Sequence, residues 1–193
     1  MDCEAGTPII VDMVPLDGTP WSDTTLGQIV DVAGTVAVGA RCDEQACAGF
    51  IVVLPVGATT GRETRLPHSE IGWFADGFAL LGLGREDLDG DGSAEILVRY
   101  QVTEAPRAAV GSWLTEWLVI YDATGERQVF THRLAERGGE SEHACSWQVG
   151  RAESGLRVEG RCAERHLLES GGAVEVVAPT CWRPGRRGKY RRC

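Results

Sequence analysis

Four carboxylates and two glycines are packed into nine residues, Asp87-Leu88-Asp89-Gly90-Asp91-Gly92-Ser93-Ala94-Glu95. Acids at loop positions 1, 3, 5 and 9 converge when the backbone wraps tightly, and Gly90 and Gly92 permit that wrapping. The chemistry this suits is the binding of a hard cation. Calcium takes roughly six to eight oxygens at about 2.3–2.6 Å. Asp87, Asp89, Asp91 and Glu95 offer side-chain oxygens, and Ser93 offers its backbone carbonyl. Without a cation, carboxylates at this spacing repel one another. The plainer alternative is a solvated Asp-Gly turn that binds nothing, since Asp-Gly is a common hairpin turn. The spacing of acids and glycines together favours calcium, in a structural rather than a regulatory role. Loop position 12, where an EF-hand carries a bidentate Glu, is Val98. The segment that follows alternates as a strand, with Ile96, Val98, Tyr100 and Val102 on one face, so an EF-hand is excluded.

The acidic segment resembles the D-x-D-x-D-G-x-x-[DE] loop, followed by an apolar strand, of FG-GAP and VCBS-type repeats. Such repeats occur in integrin α-chain propellers and in many secreted bacterial proteins. The resemblance implies that Asp87, Asp89, Asp91, Ser93 and Glu95 are calcium ligands held between two strands, with Leu80-Leu81-Gly82-Leu83 as the incoming one. It covers a short part of the chain in a single copy, whereas a propeller of this family carries several. A looser likeness to strand-turn units of the same proteins lies at Trp117-Leu118-Val119-Ile120-Tyr121-Asp122-Ala123-Thr124-Gly125.

Seven cysteines form the second group with chemistry. When Cys145 is set opposite Cys162 in an antiparallel pair, Trp147 faces Gly160 and Val149 faces Val158. That register yields one apolar and one polar face. Opposite residues at a non-hydrogen-bonded site lie about 4.5 Å apart at Cα, within disulfide reach. The same test sets Cys42 opposite Cys47 across a four-residue loop, with Val38 facing Ile51 and Val36 facing Val53. Cys181 and Cys193 would close a third hairpin, with Trp182 beside Arg192 and Pro184 at an edge. Six cysteines allow 15 connectivities, so the pairing is a hypothesis. No C-x-x-C and no Cys/His cluster with zinc spacing occurs, which favours disulfides and an oxidising compartment over thiol metal sites. Cys3 is left over. It is a free thiol, a partner in a non-local bridge, or the lipid-anchor residue of a bacterial lipoprotein.

Other constellations are weaker. Arg186, Arg187, Lys189 and Arg191 lie in a basic strip from Cys181 to Cys193 that could grip an anionic polymer. The plainer reading is an edge hairpin whose charges block strand-to-strand aggregation. Most of the six tryptophans belong to the core rather than to sugar-stacking platforms. The G-x-S-x-G nucleophile frame and a phosphate-binding Gly-rich loop with its helix are both missing.

The elements that must position these residues are short. Runs rich in Val, Ile and aromatics are punctuated by 25 Gly and 8 Pro, and no 3.6-residue apolar period persists. Strands are expected over Pro8–Val14, Gln28–Ala40, Ala48–Val56, Ile71–Ala75, Phe78–Leu83, Glu95–Val102, Trp113–Tyr121, Gln128–Leu134, Cys145–Val149, Leu156–Cys162, Ala173–Val177 and Lys189–Arg192. Asp76-Gly77 is expected to turn a hairpin, Asp122–Gly125 is a further break, and helical turns are expected near Ser22–Leu26 and Ala163–Glu169. The fold class is all-β: an antiparallel sandwich or an irregular, propeller-like β-domain with disulfide-closed hairpins. One domain over residues 1–193 is expected, with 181–193 a basic C-terminal hairpin or tail.

A chain of 193 residues with 43% apolar and 24% charged residues can bury a core and is neither disordered nor a membrane bundle. The net charge of −9 hides an asymmetry: the last thirteen residues hold six cations and no acid, leaving the body at −15. Such a body repels nucleic acid and anionic membranes, so no nucleic-acid partner is expected, and membrane association only through a lipid anchor. The Arg-rich, Lys-poor composition looks bacterial. The expected function is a secreted, periplasmic or surface-tethered calcium-stabilised module that binds a protein or glycan partner or supports structure. The rivals are an extracellular hydrolase, with acids such as Glu116 or Asp122 in a cleft, and a subunit of a larger extracellular assembly.

Overall fold

Alternating apolar residues and short connections give strands and no helix among the described residues. The computed structural model describes residues 14–15, 25–42, 47–67, 75–104, 113–138, 141–152, 155–166, 174–184 and 190–192, with side chains described within 26–40, 48–67, 77–103 and 114–136. The strands are β1 (Val14–Pro15), β2 (Thr25–Asp31), β3 (Gly34–Cys42), β4 (Cys47–Pro55), β5 (Arg62–Arg65), β6 (Ala75–Glu86), β7 (Glu95–Glu104), β8 (Trp113–Tyr121), β9 (Gln128–Gly138), β10 (Ser141–Ala152), β11 (Gly155–His166), β12 (Val174–Pro184) and β13 (Tyr190–Arg192). They form two antiparallel sheets. One runs β2-β3-β4-β5, the other β1-β6-β7-β8-β9-β10-β11-β12-β13. Neither closes on itself. The fold is all-β, and of the expected architectures it is the packed pair of sheets, not a ring of blades.

Alternation explains how the sheets meet. Val36 and Val38 of β3 and Ile51 and Val53 of β4 point to one side and are buried. They pack with Phe78, Leu80 and Leu83 of β6, Ile96, Val98, Tyr100 and Val102 of β7, and Val119 and Tyr121 of β8. Phe78 and Tyr100 stack with ring centroids 5.4 Å apart. Strands β7–β9 also bury their other face: Leu97 is opposite Ile120, Ile120 is opposite Phe130, and all three are buried. Runs buried on both faces lose the strict polar alternation of a one-sided sheet.

Polar ties cross between the layers. The Tyr121 hydroxyl donates to the Arg65 carbonyl at 3.2 Å. The Tyr100 hydroxyl donates to the Pro67 carbonyl, Thr64 donates to the Gly125 carbonyl, and Arg62 pairs with Glu126. The Arg85 guanidinium on β6 is buried and lies 3.3 Å from the Asp31 carboxylate at the end of β2. Its Nη2 has no hydrogen-bond partner among the described residues.

Several sequence expectations are corrected. Gln28–Ala40 is not one strand but the hairpin β2–β3. Asp31 Oδ1 accepts the Ala33 N–H at 2.8 Å, and Gly34 has φ of 125° with an ideal Cβ position only 2.2 Å from the Leu54 carbonyl oxygen. The turn is therefore set by Asp31 and Gly34, although the apolar Val32-Ala33 between them reads as strand. Asp76-Gly77 is not a hairpin turn: both residues lie within β6, where the register slips between Ala75 and Gly77 as a bulge. Residues 163–166 belong to β11 and are not helical, and Thr25 and Leu26 belong to β2. Strand β5 was not expected at all. The expected strand Pro8–Val14 falls outside the described residues except at Val14, and Ile71–Ala75 does so except at Ala75.

Candidate metal centre

The acidic loop joins β6 to β7, neighbours in the larger sheet that both contribute to the core. Their hairpin register brings Glu86 opposite Glu95, so the loop starts and ends at the same edge of the core. Gly90 and Gly92 have φ of 77° and 89°, the left-handed region that the tight wrap requires. The three aspartate side chains then turn back onto the loop's own backbone. Asp87 accepts the Gly90 N–H at 2.7 Å and the Gly92 N–H at 3.1 Å. Asp89 accepts from Asp91 N at 3.1 Å, and Asp91 accepts from Ser93 N at 2.7 Å. Leu88, between two of these carboxylates, is fully buried. Its N–H donates to Glu95 Oε2 at 2.8 Å.

This arrangement draws three of the expected ligands together. One carboxylate oxygen from each of Asp87, Asp89 and Glu95 lies within 4.8 Å of the others. Asp91 is outside this group, its carboxylate engaged by the Ser93 N–H, and Ser93 is exposed. Glu95 is only 7% exposed, Asp87 is half-buried and Asp89 faces solvent. The group therefore runs from the core to water. Burial pushes the Glu95 carboxyl up to about 7, the Leu88 N–H pulls it down, and the Asp89 and Asp91 charges add to the rise. The donors are all oxygens and all acidic, which fits a hard divalent cation and not a soft one. An Asx-turn hairpin that binds nothing would satisfy the same N–H groups, but it gives no reason for burying Glu95 beside two further carboxylates. The arrangement is compatible with an ion. Sequence reasoning missed Leu88, whose signal is a large apolar residue inside an acidic loop.

The remaining expected site residues are placed as follows. Glu116 pairs with Arg99, and Asp122 pairs with Arg127 at 3.5 Å while its Oδ1 accepts N–H groups of Glu126 and Arg127 in the β8–β9 turn. Arg191 lies in β13, which pairs with β12 at the end of the strand order. The Arg191 side chain, Arg186, Arg187, Lys189, Cys3 and Cys193 lie outside the described residues, as do the side chains of Cys42, Cys47, Cys145, Cys162 and Cys181.

Comparison with protein-family models, curated proteins and solved structures finds no match for this chain.

Proposed function

We propose that this protein is a calcium-stabilised β-module, acting outside the cytoplasm by binding or structural support. The observation that carries the reading is the convergence of Asp87, Asp89 and Glu95 at one end of the core, with Glu95 buried. Asp87, Asp89 and Glu95 hold the ion, with Asp91 and the Ser93 carbonyl as the additional donors that the FG-GAP-like spacing suggests. Calcium supplies a positive charge that lets Glu95 stay ionised in a site water barely reaches. It also ties the exit of β6 to the entry of β7. Extracellular modules bind calcium at roughly 10⁻⁴–10⁻³ M, so such a site stays filled outside a cell and empties inside one.

A thermal melt with calcium and with chelator tests this. Calcium at about 2 mM, above the range expected for extracellular sites, should raise Tm by several degrees. Asp89→Ala should abolish that rise while melting near the metal-free wild type. A wild-type Tm that ignores calcium would overturn the reading.

A second reading, a subunit of a larger extracellular assembly, has one observation in its favour. Val30, Val32 and Val56 are 69%, 97% and 69% exposed. The register of Gly34 with Pro55 and of Val30 with Thr35 sets them at the same end of the smaller sheet.

A further inference from the structure

The strand registers determine what kind of site each central cysteine pair occupies. Cys145 is opposite Cys162 on β10 and β11, and Cys42 is opposite Cys47 on β3 and β4. In an antiparallel ladder, opposed pairs alternate between those that exchange backbone hydrogen bonds and those that do not. Both kinds fall within the Cα range of about 4.4–6.8 Å that a disulfide spans, but in the second kind the side chains stand closer, bringing the Cβ atoms nearest the roughly 3.5–4.5 Å a disulfide needs.

On β10–β11 the alternation can be counted from the hairpin end. Ala152 is opposite Gly155 with two residues between them, and a pair so close to the turn has to be a bonded one. Counting outward without a register slip, Arg151–Leu156 is non-bonded, Gly150–Arg157 is bonded, and the sequence arrives at Cys145–Cys162 as a non-bonded pair. On β3–β4 the count starts from Gly34 opposite Pro55. Proline has no N–H, so this pair cannot exchange both bonds and is non-bonded. Every second pair from there is also non-bonded, through Val36–Val53, Val38–Ile51 and Ala40–Gly49 to Cys42–Cys47. A separate contact agrees. The Gly49 carbonyl accepts the Leu66 N–H at 2.8 Å, so the backbone of Gly49 points away from β3, as a non-bonded Ala40–Gly49 pair requires.

We propose that Cys42–Cys47 and Cys145–Cys162 are cross-strand disulfides that staple one hairpin in each sheet. Each forms when two thiols lose two protons and two electrons to a small-molecule disulfide or dithiol oxidase of an oxidising compartment, which is itself reduced to two thiols. The staples share the extracellular setting of the calcium reading but do not depend on the ion.

Peptide mapping of the non-reduced protein, recovered from an oxidising compartment and alkylated, tests the pairing. Trypsin should release residues 138–151 joined to residues 162–165. Residues 42–62 should emerge unalkylated and lighter by two hydrogens, and cleavage after Glu44 should leave the two parts joined. Alkylated thiols at these four positions, or bridges linking them to other cysteines, would overturn the proposal. As a second readout, the paired Cys145→Ser/Cys162→Ser variant should melt about 5 °C or more below wild type. An unchanged Tm in that variant counts against a staple. Its Tm should still rise with calcium, so failure of the staples and failure of the metal site give different results.

Discussion

Glu95 is a carboxylic acid in a place that disfavours its charge. Its folded-state pKa of about 7 stands above the ordinary 4.5, so the metal-free fold prefers the protonated form. The contribution to stability is therefore complete below pH 4.5 and lost as pH rises through about 7. The loss is roughly 3 kcal/mol at most. Glu95→Gln keeps an acceptor for the Leu88 N–H and removes the titration. In metal-free urea denaturation between pH 5 and 8, the variant should become progressively more stable than wild type as pH increases. Saturating calcium should reverse the order at pH 8, because the ion favours the carboxylate that the variant lacks. Parallel pH profiles for the two proteins without metal would show that Glu95 is not electrostatically burdened. The carboxylates and glycines of this loop were legible in the sequence because spacing alone brings them into one turn. The depth of Glu95 was not, since burial is set by how the chain packs around the loop and not by the spacing of its residues.

At the scale of elements, hairpin registers were the most legible feature. Cys42 with Cys47 and Cys145 with Cys162 fall opposite each other as local alternation required. Turns were less legible where their chemistry lies in one side chain. The β2–β3 turn rests on Asp31 capping the Ala33 N–H and on Gly34, while its tip, Val32-Ala33, looks like strand. Asp76-Gly77 misleads in the other direction, because a bulge also accommodates glycine. Gly34→Ala should cost about 2–4 kcal/mol, combining a left-handed backbone with overlap of the Leu54 carbonyl. Gly57→Ala, where φ is 77° but no atom lies within 4 Å of the added carbon, should cost about 1 kcal/mol. Chemical denaturation of both variants measures the difference. Equal costs would mean that the close approach of β4 to Gly34 is not what holds the turn.

At the scale of the molecule, the fold is a consequence of long-range pairing that local pattern could not reveal. Val14 of β1 lies opposite Leu83 of β6, and the four-residue β5 completes the smaller sheet against β4. The two layers are then joined by their shared core and by ties such as Arg85–Asp31 and Tyr121–Arg65. Arg85 stands two residues before Asp87, so the strand that reaches across to β2 is the one that leads into the acidic loop. An ion at that loop would fix the end of β6 where it bridges the sheets, which is how a small site can stabilise the whole sandwich. The most direct measurement is a crystal structure grown in calcium. One ion is expected there, with carboxylate oxygens of Asp87, Asp89 and Glu95 at about 2.3–2.6 Å. A loop in which those carboxylates meet only water and backbone N–H groups, at saturating calcium, would contradict that expectation.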